Sequence, residues 1–162
     1  MDKERQTKPR PGALRALVAI EGVFAFVGFI SGYGLLSSPS GEELGLSQDL
    51  LEHAPVDDFT LVGLWFVAFY GVVPVLAAYG LWTKKRWRWT DAVNKWTGQN
   101  WAWTLTAALG IILLLWIGLE LIFVGPLGGI GGSLQVIITV LGIAILFLVM
   151  RPSVRAHMRL ED

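Results

Sequence analysis

The sequence predicts an all-α, polytopic membrane protein: a bundle of four transmembrane helices forming one domain over residues 1–162, with both termini in the cytoplasm. Three observations lead there. Hydrophobic residues make up 54% of the chain and charged residues 16%, against roughly 45–50% and about 25% in soluble domains. The excess is gathered into four apolar stretches of 18 to 24 residues, each long enough to cross about 30 Å of hydrocarbon at about 1.5 Å per residue. All 13 Lys and Arg fall in three segments, and those segments alternate with acidic or uncharged ones as the positive-inside rule requires.

Span one runs about Leu14–Leu36. Lys3, Arg5, Lys8, Arg10 and Arg15 lead into it, as in a signal peptide. Its apolar run of about 23 residues exceeds the roughly 7–15 of a signal core, and no A-x-A-like site follows, so the segment is expected to be retained. Gly28 and Gly32 form a G-x-x-x-G pair, a spacing at which two helices approach closely. The partner is either another helix of this chain or a second copy.

The connection to span two is acidic, with Glu42, Glu43, Asp49, Glu52, Asp57 and Asp58 and no basic residue. Two readings stand side by side. In one, Ser47 caps a short helix over Gln48–His53 whose apolar side (Leu46, Leu50, Leu51) lies on the bundle rim. In the other, the segment is a solvated acidic loop.

Span two runs about Phe59–Trp82. Pro74 removes a backbone donor inside it and should kink the helix near Tyr70–Gly71. The loop that follows carries Lys84, Lys85, Arg86, Arg88 and Lys95, and Trp82, Trp87, Trp89, Trp96, Trp101 and Trp103 cluster around it. Tryptophan favours the headgroup level, so these six are expected to be interface anchors. Trp87-Arg88-Trp89-Thr90 and Trp101-Ala102-Trp103-Thr104 repeat the pattern W-x-W-T. Between them Thr90 is expected to cap a short interfacial helix from Asp91, with Trp89, Val93 and Trp96 on one side. Interleaved basic and aromatic residues also suit nucleic acid, but the apolar flanks explain the tryptophans by anchoring alone. The expected partner is the lipid bilayer, not a nucleic acid.

Span three runs about Trp101–Val124 and closes at Gly125 and Pro126. A glycine-rich, uncharged turn leads to span four, about Ser133–Met150. Arg151, Arg155 and Arg159 follow, returning the chain to the basic side.

Glu21 and Glu120 are the only charged residues well inside the spans. An ionisable group at such depth costs about 2.5–3.5 kcal/mol by insertion scales and is a functional candidate by default. Glu21 lies about 10 Å from the cytoplasmic boundary and Glu120 about 6 Å from the outer one, too far apart for a carboxylate dyad. Gln135 is at the right depth to hydrogen-bond Glu120. Thr104, Thr106, Tyr79 and an inward-reaching Arg151 lie near the depth of Glu21. Each glutamate is either a neutral hydrogen-bonding residue of the bundle or a group that handles protons, cations or a substrate.

The absence of cysteine removes disulfides, thiolate metal sites and cysteine nucleophiles. His53 and His157 lie outside the spans, leaving no axial ligand for a haem at depth. No H-E-x-x-H or phosphate-cradling glycine loop is present, and Ser133 has no nearby base. No catalytic residue, metal ligand or cofactor is therefore expected.

Arg10-Pro11 with Leu14, Arg15 and Glu21, then Ala78-Tyr79-Gly80-Leu81-Trp82 before a basic turn, Glu120 near the end of span three, and Arg151-Pro152-Ser153-Val154-Arg155 after span four resemble small four-span prokaryotic membrane proteins of uncharacterised function, including the domain-of-unknown-function family DUF2127. The longer W-x-W-T loop and the glycine-rich turn depart from that pattern. The resemblance implies a bacterial or archaeal cell membrane and no particular activity. Two functions are expected from the residues: a non-enzymatic bundle acting as a homo-oligomer or accessory subunit of a membrane complex, or a proton- or cation-coupled transport component using Glu21 and Glu120.

Overall fold

The computed structural model describes residues 9–160 and is all-helical, with one isolated antiparallel bridge between Gln99 and Arg159. Lys3, Arg5 and Lys8 lie outside the described residues. Four helices are long and apolar enough to cross a membrane: α1 (Gly12–Ser37), α2 (Thr60–Thr83), α4 (Trp101–Phe123) and α5, whose candidate span is Gly131–Val149 within a helix of Gly129–Val149. Two short helices, α3 (Asp91–Thr97) and α6 (Pro152–Met158), follow α2 and α5 respectively.

The spans pack in a ring, α1 on α2, α2 on α4, α4 on α5 and α5 back on α1. This is an up-down-up-down bundle. Residues 9–11, the Lys84–Asn100 connection and α6 share one end, which holds the described basic residues. The acidic connection and the glycine turn share the other. These are called the basic and the acidic end below.

Small residues set the closest approaches. A Cβ added to Gly28 would overlap backbone atoms of Tyr70, and one added to Gly32 would meet Val67 at 2.6 Å. The Gly28/Gly32 face is therefore filled by α2 of the same chain. Further on, Gly80 lies against Ala102 and Trp101, and Gly110 and Gly142 face each other across α4 and α5.

Within α2, residues Phe66–Val72 are wound as a π-helix, and the Val73 N–H donates to the Ala68 carbonyl. The expected disturbance at Tyr70–Gly71 takes this form. A wider turn accommodates the missing N–H and the ring of Pro74, which follows immediately.

Around the spans the structure favours the capped, bundle-packed reading of the acidic connection and departs from expectation at Thr90 and at the start of span four. The acidic connection forms 3₁₀ turns at Glu42–Leu44 and Gln48–Leu51, and Ser47 Oγ accepts from the Asp49 N–H at 3.2 Å. Leu46, Leu50 and Leu51 pack with Leu35 and Phe59, so this segment covers the bundle's end rather than standing free in solvent. Thr90 does not cap α3. Its hydroxyl is buried, donating to the Trp87 carbonyl at 2.7 Å and accepting from Asn94 Nδ2 at 3.2 Å. A 3₁₀ turn at Arg88–Thr90 runs directly into α3 and leaves no extended capping position. Span four starts at Gly129 rather than Ser133, because glycines enter a helix without side-chain conflict once Gly125 and Gly129 have taken positive φ.

Hydropathy gives no sign of helix α6. Pro152 begins it, where its fixed φ suits a first turn. Val154 and Met158, one turn apart, are buried on the basic end. The Met158 carbonyl accepts from the Asn100 N–H at 2.9 Å and the Leu160 N–H donates to the Gly98 carbonyl at 3.4 Å. The chain's end is thereby tied to the start of α4.

Candidate functional site

The two intramembrane carboxyls occupy separate environments. Glu21 is fully buried, and Thr106 on α4 donates its hydroxyl to Oε1 at 2.8 Å across the diagonal of the bundle. The other oxygen has no hydrogen-bond partner. The remaining neighbours expected at that depth point elsewhere. Arg151 lies over the Phe147 ring at 4.7 Å, Tyr79 is exposed against Trp87, and Thr104 bonds Thr97.

Glu120 sits at the acidic end. Gln135 Nε2 donates to Glu120 Oε1 at 3.0 Å and to the Gly125 carbonyl at 3.1 Å, while Gln135 Oε1 accepts from the Leu127 N–H at 3.0 Å. The Gln135 amide thus clamps the α4–α5 turn with both its ends. Gly125, at φ 82°, supplies the left-handed turn after α4, and its N–H returns to the Glu120 carbonyl at 3.1 Å.

The six tryptophans divide into two sets. Trp82, Trp89 and Trp96 are exposed. Trp101 is buried and donates to the Lys85 carbonyl at 2.7 Å, and Trp103 donates to the Val149 carbonyl at 2.8 Å. Trp87 stacks on Trp101 at 4.6 Å. These three rings hold the middle connection and the end of α5 onto the start of α4. Arginines reinforce the same end: Arg10 lies 4.0 Å over the Trp82 ring and Arg155 5.9 Å from that of Trp103.

A cleft of about 1260 Å³ opens in the acidic half of the bundle. Close backbone approach between α2 and α4 is concentrated in Val73–Thr83. Beyond it the α1–α2 hairpin diverges from the α4–α5 hairpin, and large rings bridge the gap. Trp116 of α4 stacks on Trp65 at 5.1 Å and meets Phe66 and Tyr70 edge-on at 6.0 and 6.4 Å. Glu120 and Gln135 reach this cleft and Glu21 does not. The acidic connection lines its end through Leu46, Leu50, Leu51 and Val56.

No family model, curated protein or solved structure matches this chain. Among the described residues no cluster of His, Asp or Glu is suited to holding a metal ion.

Proposed function

We propose that this protein is a multi-pass component of the cell membrane, with both termini and the middle connection cytoplasmic. In this reading it acts as a non-enzymatic binding subunit, either with copies of itself or within a larger membrane complex. The observation that carries the reading is the way its two carboxyl groups are held. Each is bonded to another helix of the same chain, in different halves of the bundle, and the cleft reaches only one of them. Conduction through both would need a shared polar chamber.

The orientation is supported by charge: Lys84, Lys85, Arg86, Arg88 and Lys95 gather at one end and six carboxylates at the other. At the basic end α3 carries exposed Trp96, with Trp89 just before it, as suits a short helix lying at the headgroups. A partner would use a face other than Gly28/Gly32, which α2 fills. One such face on α1 presents Val23, Phe26, Ile30 and Tyr33, all strongly exposed.

Crosslinking in native membranes, followed by extraction in mild detergents, tests the proposal. The expected product contains more than one chain. A lone monomer in every mild condition would overturn the subunit reading. Labelling of a C-terminal tag from outside intact cells would overturn the orientation.

A further inference from the structure

We infer that the cleft between the two hairpins binds a neutral lipid with a long hydrocarbon tail and a carbonyl-bearing ring as its head, a quinone-class lipid, entering sideways from the bilayer. The inference rests on the membrane placement proposed above but not on any partner subunit.

Size comes first. At about 1260 Å³ the cleft exceeds the roughly 300–1,000 Å³ usual for small-molecule sites. Its wall on α5 runs from Gly131 to Leu141, about 15 Å of helix, comparable with one leaflet's share of a hydrocarbon core about 30 Å thick. The space is long as well as large, which fits a chain.

Access comes next. Leu46, Leu50 and Leu51 lie over the acidic end, so the aqueous side is covered. Val23 and Val27 on α1 and Leu134 and Ile137 on α5 line the cleft and are also exposed to the exterior. They flank a lateral opening whose surroundings are lipid.

The head group follows from the polar atoms. The Trp65 indole N–H faces the Tyr70 oxygen, which leaves Trp116 Nε1 and the Tyr70 O–H as buried donors without an acceptor, and all three residues line the cleft. Tyr70 is 2% exposed. Buried donors call for acceptors. These donors start about 15 Å (Tyr70) and about 11 Å (Trp116) from the acidic ends of their helices. A glycerolipid's ester carbonyls sit at the headgroup boundary, too shallow to meet them. No Lys or Arg is among the described residues lining the cleft, and its one carboxyl, Glu120, disfavours a phosphate. What remains is an uncharged head small enough to enter hydrocarbon and bearing oxygen acceptors. The aromatic stack Phe69–Trp65–Trp116 stands beside the donors, and a planar ring suits the end of such a stack.

The probe is a decyl-substituted benzoquinone, titrated into the full-length protein in phosphatidylcholine nanodiscs, with tryptophan quenching as the readout and empty-discs partitioning subtracted. Saturable quenching is expected. The double variant Tyr70→Phe/Trp116→Phe keeps an aromatic ring at each position and removes two donors, so it should bind roughly tenfold more weakly while its melting temperature stays near that of the parent. Saturable binding that the double variant leaves unchanged would overturn the assignment, as would non-saturating quenching. Displacement of the quinone by diacylglycerol or phosphatidylglycerol at equal concentration would overturn its choice of head group. If the double variant unfolds, Ile138→Trp, which fills the cleft from α5, takes its place and should abolish the saturable component; retention of that component would sink the assignment. A protein that stays monodisperse without detergent would instead overturn the membrane placement itself.

Discussion

The basic and acidic ends of this bundle are built from equally apolar helices, yet one is closed and the other open. At the basic end Gly80 meets Ala102, indole N–H groups reach the carbonyls of Lys85 and Val149, and α6 folds back onto the start of α4. At the acidic end the hairpins are held apart by Trp65, Phe66, Tyr70 and Trp116. Hydrophobicity does not distinguish them, since lipid tails are as apolar as leucine. The size of the contacting residues and the satisfaction of backbone carbonyls do. Helices in lipid close where a small residue admits a neighbour's backbone and stay parted where rings meet rings.

The sharpest way to break this comparison is to place bulk at the closed end. Gly80→Leu forces a side chain into a space where even a Cβ would lie 2.5 Å from Ala102. A loss of about 3 kcal/mol or more is expected, read as a fall in melting temperature in detergent. Gly118→Leu has nothing within 4 Å of the added Cβ and should change stability by no more than about 0.5 kcal/mol. Equal effects would mean that small-residue contact is not what closes the basic end.

A smaller effect separates the two carboxyl sites. Gln135→Leu removes three hydrogen bonds from the α4–α5 turn, and about 2 kcal/mol should be lost. Thr106→Val removes the single bond to Glu21; interhelical bonds of this kind average about 0.6 kcal/mol and reach about 1.7. Steric-trap or denaturant unfolding in bicelles would rank them, and the reverse order would show that Glu21, not the turn, is the stronger polar tie.

The smallest effect concerns the tail. Burial, and then the charges of Lys84 and Arg10, hold the His157 imidazole below its ordinary value of 6.5. The folded state therefore favours neutral His157. Its contribution is fully present above about pH 6.5 and is lost as pH falls below that value, where the unfolded chain takes up the proton first. Protection factors of the amides of residues 153–158, which correct exchange for its intrinsic pH dependence, should fall at pH 5 relative to pH 7.5, and His157→Gln should flatten that difference.

Much of this fold is legible in the residues. The four spans follow from hydropathy, and their edges move by only a few residues. Glu120 and Gln135 could be paired because a short turn fixes both at one depth. Depth alone could not choose among Thr104, Thr106, Tyr79 and Arg151 for Glu21, since that choice depends on how each helix is rotated. Rotation also decided that Gly28 and Gly32 face α2 and that Trp101 turns inward while Trp96 turns out. The cleft was hidden for the same reason: it is a property of which rings meet, not of how many there are. Helix α6 left a readable signal in Pro152 and the spacing of Val154 and Met158, but its short length hid it behind the arginines.

The π segment of α2 has a consequence for register. Its wider turn admits an extra residue, and each residue advances a helix by about 100°. The stretch from Thr60 to Trp65 and the stretch from Val73 to Thr83 are thus out of phase. Gly63 faces α1 beside Gly32, while Gly80 faces α4 beside Ala102. In an unbroken α-helix Gly63 and Gly80 would lie about 100° apart around the axis, and the extra residue widens that angle to about 160°, close to opposite faces. The slip lets this helix change allegiance midway, joining the two hairpins at one end and releasing them at the other.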